Sequence, residues 1–179
     1  IAGVIGNTGA IGIQVGTAFA FCEESGFEPE LKSQVLAAVK TGELKVRTDA
    51  LASPTGFPFK VAQLPGSIAD PLVYQTRERI CDLGLLRETY QKPDGTVGFR
   101  CAAEREYDFL SKGGDPGQFE GRICLCNSLC ASAGVAQIRD GYVEPQLVTI
   151  GDDLDAVRDL MPGEQTSFTA AEVIERLLA

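Results

Sequence analysis

Two groups of residues in this sequence have types and spacings suited to chemistry. The first is a cysteine set, Cys81, Cys101, Cys124 and Cys126, spaced C-x19-C-x22-C-x-C. Four thiolates can close a tetrahedral zinc site or hold an iron–sulfur cluster. Loop-rich segments with little core of their own gain from such a clip. The C-x-C pair is a poorer chelate than the usual C-x2-C knuckle, and Cys130 could replace one ligand from a helical turn. The competing reading is buried free thiols, since free cysteine is among the most buried residue types. The second group is Gly16-Thr17, inside the apolar run "GIQVGTAFAF" at residues 12–21. Gly16 lets an anion approach the backbone without a Cβ in the way, and Thr17 adds an N–H and a hydroxyl, a nest that suits a phosphate dianion. There is no histidine, so neither group has an imidazole as base or ligand.

The elements that must position these groups read as α/β. "IAGVI" and "IGIQVGTAFAF" are apolar without alternation, as strands buried on both faces of a parallel sheet are. "PELKSQVLAAVKTG" puts Leu31, Val35, Ala38 and Val39 on one helical face, with Pro29 at an early position and Gly42 at the stop. "LKVRTD" reads as a short strand. Residues 50–68, with Pro54, Gly56, Pro58, Pro65 and Gly66, read as an ordered loop anchored by Phe57 and Phe59.

"DPLVYQTRERICDLGLLRETY" predicts a helix capped by Asp70 with Pro71 at its first position. "QKPDGTVGFRC" carries a hairpin turn signal, and "SKGGDPGQFEGR" is a glycine-rich loop. "SLCASAGVAQIRDG" predicts a helix ending near Gly141, and "PQLVTIGDDL" a strand followed by a turn. Asp152, Asp153 and Asp155 read as a helix N-terminus favoured by its dipole rather than a cation site. Glu23-Glu24 read as solvated loop residues and Lys60 as a surface lysine. At the end, Thr169 and Glu172 have the Ser/Thr-x-x-Glu spacing of a capping box.

Composition narrows the classes. The chain has 179 residues, 44% hydrophobic, with mean hydropathy +0.02, which suits a globular protein. A net charge of −9 without any Lys/Arg block argues against nucleic acid or anionic lipid as partner. No run approaches the ~18 to 20 apolar residues that span a bilayer, and the N-terminus lacks the basic region of a signal peptide. Reduced thiols and a cytoplasmic location are therefore expected.

Several motifs in order, "GAIGIQVGTAFAFCEESG", "ASPTGFPFK", "CDLGLLR", "CLCNSL" and "EPQLVTIGDDL", give a chain that resembles the C-terminal half of the nitronate monooxygenase family, formerly called 2-nitropropane dioxygenases. The resemblance implies FMN-dependent TIM barrels that oxidise alkyl nitronates with molecular oxygen. It implies backbone contacts from Gly16 and Thr17 to the FMN phosphate, with Gln14 lining the pocket and Gly3 standing at the preceding phosphate-loop glycine. Residues 1–49 then hold the last barrel strand or strands and a helix, 50–130 a cysteine-containing extension, and 131–179 a helical segment packing back on the barrel.

The chain departs from the family in three places. Val4 follows Gly3 where the family has Gly-Gly. Only "IGNTGA" separates two runs that need a crossover of about a dozen residues to be parallel neighbours. The family's catalytic histidine has no counterpart. The expectation is a C-terminal portion of a flavoenzyme, inactive alone, that meets a missing barrel segment or a second copy. The alternatives are a flavin-dependent enoyl reductase-like barrel and a non-catalytic, metal-clipped module.

Overall fold

The computed structural model describes residues 6–178. It is mixed α/β and divides into two compact units: residues 1–44 with 150–179, and residues 45–149.

The first unit is helical among its described residues. It holds α1 (Thr17–Phe21), α2 (Pro29–Thr41), α6 (Asp155–Arg158) and α7 (Ala170–Leu178). Helix α2 follows the sequence reading. Pro29 sits in its first turn, where a missing N–H costs nothing, and Gly42 closes it at φ 75°, a left-handed value that a Cβ disfavours. Its buried face is Leu31, Val35, Leu36 and Val39. Phe21, Val157, Met161, Phe168 and Val173 complete the apolar core. The Arg158 Nε donates to the Val39 carbonyl at 3.1 Å, a second donor there beside the Gly42 N–H that caps α2. At α7 the capping box is present: the Glu172 N–H donates to Thr169 Oγ1 at 3.2 Å, and the Thr169 N–H to Glu172 Oε2 at 2.6 Å.

The second unit contains β1 (Val46–Asp49), β2 (Phe59–Ala62), α3 (Pro71–Thr76), β3 (Glu88–Gln91), β4 (Val97–Arg100), α4 (Glu106–Ser111), α5 (Leu125–Ser132), β5 (Ile138–Arg139) and β6 (Tyr142–Val143). Its strands form three antiparallel pairs, with registers running from Val46↔Ala62, Glu88↔Arg100 and Ile138↔Val143. Ala52, Val61, Ile68, Ile123, Leu125 and Leu147 form its apolar cluster, with Phe59, Tyr74, Leu86 and Leu129 against it.

Four expectations are corrected. Residues 12–16 are irregular and 17–21 helical, so "GIQVGTAFAF" is not a buried strand; Ile11 and Ile13 are exposed, and no strand pairs with them among the described residues. The segment 50–68 contains β2, because Phe59–Ala62 pairs with "VRTD" across the proline-rich turn. The helix expected from Asp70 stops at Thr76, and Gly84 beyond it lies at φ 64° in a turn no helix tolerates. The helix expected to reach Gly141 ends at Ser132. Asp140 and Gly141, both at positive φ, then join β5 to β6 as a two-residue turn. Every strand pair among the described residues is antiparallel, and they contain no closed barrel. The strand expected at 1–5, Gly3 included, lies outside the described residues. No helix among the described residues is long and apolar enough to cross a membrane.

Candidate functional sites

In the helical unit, Gln14, Gly16 and Thr17 line one cavity of about 460 Å³, together with Gly151, Asp152, Asp153, Asp159 and Arg176. The Gly151 N–H donates to Thr17 Oγ1 at 3.0 Å, so the two loops that face each other across the cavity are tied at that hydroxyl. A Cβ added at Gly16 would meet nothing within 4 Å, which leaves room for a ligand to approach the backbone there. The charge of the lining is a feature the sequence reading missed. Three aspartates face one arginine, and Arg176 Nη2 already donates to Asp159 at 2.8 Å. The backbone turn suits a phosphate; the side chains around it supply no surplus positive charge. Helix α1, five residues long, adds little macrodipole to offset them.

Glu23 and Glu24 are not merely solvated. Glu23 accepts from Ser167 Oγ at 2.5 Å and Glu24 from the Ala170 N–H at 2.9 Å, at the start of α7. That Ala170 N–H holds the Glu24 carboxyl below its ordinary range. Asp155 stands in the first turn of α6, as the dipole reading expects, and pairs with Arg158 at 2.5 Å. Cys22 is buried here, away from the other thiols in sequence, and its Sγ donates to the Phe19 carbonyl.

In the second unit the four cysteines of the spacing argument come together. Cys101 and Cys124 are buried with Ala103, and Cys81 and Cys126 pack against them. Cys81 lies just ahead of β3, Cys101 follows β4, and Cys124 and Cys126 open α5, so the β3–β4 hairpin and one helix start deliver them. Arg79 fixes the loop after Cys101: it donates to the carbonyls of Ala102 at 2.8 Å and Glu104 at 3.2 Å, and its guanidinium lies 3.7 Å over the Phe119 ring. Cys130 is half-buried and outside this group.

The thiols differ in proton affinity. Cys101 donates to Cys81, which lowers Cys81 to about 7, with Arg87 lowering it further against the cost of burial. The same hydrogen bond, with burial, raises Cys101. Burial pushes Cys124 up to about 11 and raises Cys126. Cys81 is therefore the most nucleophilic thiol of the set. Among the described residues no three cysteine, aspartate or glutamate side chains are already arranged to hold a metal ion. Beside Cys101 lies a cavity of about 530 Å³ whose lining includes Arg87, Arg100 and Arg122 against Glu88, opposite in sign to the aspartate-lined one. Those guanidiniums have structural partners; Arg122 donates to the carbonyls of Ala50 at 3.0 Å and Ser53 at 2.5 Å.

Compared with known proteins, the chain matches no family model, no curated protein and no solved structure.

Proposed function

We propose that the chain is the C-terminal portion of an FMN-dependent oxidoreductase of the nitronate monooxygenase type. It is the last part of a (β/α)8 barrel with a cysteine-containing extension, and it contributes the phosphate end of the flavin site. One observation carries this reading. Gln14, Gly16 and Thr17 come from one motif of the resemblance, Gly151, Asp152 and Asp153 from another, and all six line the same cavity.

The open space over Gly16 admits a phosphate to the backbone N–H groups of the Gly16-Thr17 turn. Asp152 and Asp153 repel a dianion, so the phosphate is held on the backbone side of the cavity, with Gln14 as a neutral donor. The flavin supplies the redox chemistry between an alkyl nitronate and O2; the residues of this chain bind and orient. The chain has no histidine, so the base that takes the substrate proton belongs to residues outside it, and the chain alone does not turn over. The cytoplasm, where thiols stay reduced, is its compartment.

Titration of the purified chain with FMN, followed by flavin fluorescence, tests the reading. Saturable binding that Gly16→Asp weakens at least about tenfold, a loss of about 1.4 kcal/mol, supports it. No binding, or binding indifferent to Gly16→Asp, sinks it. Joining the upstream barrel residues and assaying nitronate and enoyl substrates then separates a monooxygenase from an enoyl reductase.

A further inference from the structure

We propose that Cys81, Cys101, Cys124 and Cys126 are the four ligands of a structural zinc ion that clips the irregular part of residues 45–149. This inference stands apart from the flavin reading: it concerns the other unit and other residues.

The placement of the sulfurs is the first support. Cys101 and Cys124 are buried together and Cys81 and Cys126 pack against them, so separate stretches of the unit bring four thiols into one cluster. The backbone around them is the second. The Ala103 N–H donates to the Cys101 sulfur at 3.4 Å. Backbone N–H groups normally pair with carbonyls, and a neutral thiol is a weak acceptor. A sulfur that carries charge is a strong one, and charged sulfurs packed in one cluster require a cation.

The C-x-C pair sits where the backbone changes. Cys124 is extended, at φ −90° and ψ 92°, immediately before α5. Cys126 follows in the first turn of α5, so the two sulfurs leave from extended and helical backbone respectively. The turn after Cys81 contains Gly84 at φ 64°, a left-handed value that glycine adopts freely. Rotation about χ1 between staggered wells carries a cysteine sulfur by about 3 Å, and that motion would gather the packed thiols around one ion.

Zinc fits better than an iron–sulfur cluster. The four thiols pack into one small cluster, and a tetrahedral zinc with Zn–S near 2.3 Å holds its sulfurs about 3.8 Å apart. A cluster interposes irons and sulfide and spreads its cysteines. As four Zn–S bonds form, four thiol protons leave to solvent, and the dianionic centre faces Arg87 beside Cys81 and Arg77 beside Cys124. The unit has reason to need the clip, since its sheets have two strands each, and isolated two-stranded sheets are marginal in water.

The test is metal analysis of the purified chain with thiol titration before and after chelation. One zinc per chain is expected, with four thiols protected until the zinc is removed. Cys124→Ser with Cys126→Ser should lose the zinc, whereas Cys130→Ser and Cys22→Ser should keep it. Because the double variant risks failing to fold, the chelated wild-type chain is also titrated with Co2+, and the sulfur-to-cobalt charge-transfer bands of a tetrathiolate are expected. A chain that binds neither metal overturns the proposal, as does iron with acid-labile sulfide, or loss of zinc from Cys130→Ser.

Discussion

Among the described residues, every buried polar or charged side chain lies in residues 45–149; Arg77, Glu104, Arg122, Asn127 and Glu144 are among them, and none lies in the helical unit. The helical unit buries only apolar side chains and keeps its carboxylates at helix ends on the surface. The difference comes from the needs of the backbone. A helix satisfies its own N–H and C=O groups, so its unit needs an apolar face and good caps. Loops and two-stranded sheets leave carbonyls over, and arginines reach in to satisfy them. Arg79 and Arg122 each join loops far apart in sequence in this way. Neither unit is arbitrary; they meet the same obligation with different chemistry.

The buried pair Arg77–Glu144, 2.6 Å apart with side chains 1% and 0% exposed, gives the sharpest way to break that contrast. Glu144→Ala strands a buried guanidinium and should cost about 3 to 5 kcal/mol, read as a lowered urea midpoint. Adding Arg77→Met should recover much of the loss, because both charges are then gone. If the double variant is no better than the single one, the charge pairing is not what organises this unit. The matching cut in the helical unit, Leu31→Ala, should cost about 3 kcal/mol through its cavity alone. There a polar residue of similar size, Leu31→Asn, should be worse than alanine, since the apolar core offers it no partner.

How far the sequence could be read follows the same division. In the helical unit the signals were local. Pro29, Gly42, Thr169 and Glu172 each fix a helix end within one turn, and the structure has them there. In the second unit, "PLVYQTRERICDLGLLRETY" has apolar residues at helical intervals, yet the chain leaves the helix after Thr76. The carbonyl-binding arginines and the Cys81–Gly84 turn organise residues 77–87 instead. Those partners lie elsewhere in the sequence, and no period records them. Asp140-Gly141 was a readable hairpin signal, overlooked because the small residues before it extend a helical pattern. The cysteine spacing singled out four residues that the fold packs together, but which of them are buried belongs to the fold alone. So does the aspartate lining around Gly16-Thr17, contributed by the far end of the chain.

A smaller effect belongs to the cap of α7. Thr169→Ala removes the hydroxyl that accepts from the Glu172 N–H and should cost about 1 kcal/mol. Amide exchange should place the loss in residues 170–178. A loss spread evenly through both units would mean that they unfold as one and that the comparison fails at the level of cooperativity.

The finest test is pH. The Thr169 N–H, then its hydroxyl and Gln165, hold the Glu172 carboxyl below its ordinary 4.5, and the Ala170 N–H does the same for Glu24. A carboxyl whose folded pKa lies below its unfolded one binds protons more weakly when folded. Its contribution is whole above about 4.5 and disappears as pH falls through the lower, folded value. Glu24 is exposed and Glu172 half-buried, and both hold the start of α7, so acid should loosen that helix before the apolar core behind it gives way. Exchange at the first amides of α7 should rise as the solution is taken below pH 4.5, while amides of α2, whose buried face has no carboxylate, stay protected. Glu172→Gln keeps a side-chain acceptor but cannot titrate, so it should flatten much of that response and leave the part due to Glu24. An unchanged acid profile in Glu172→Gln would show that the cap's charge does not matter and that its geometry alone holds the helix.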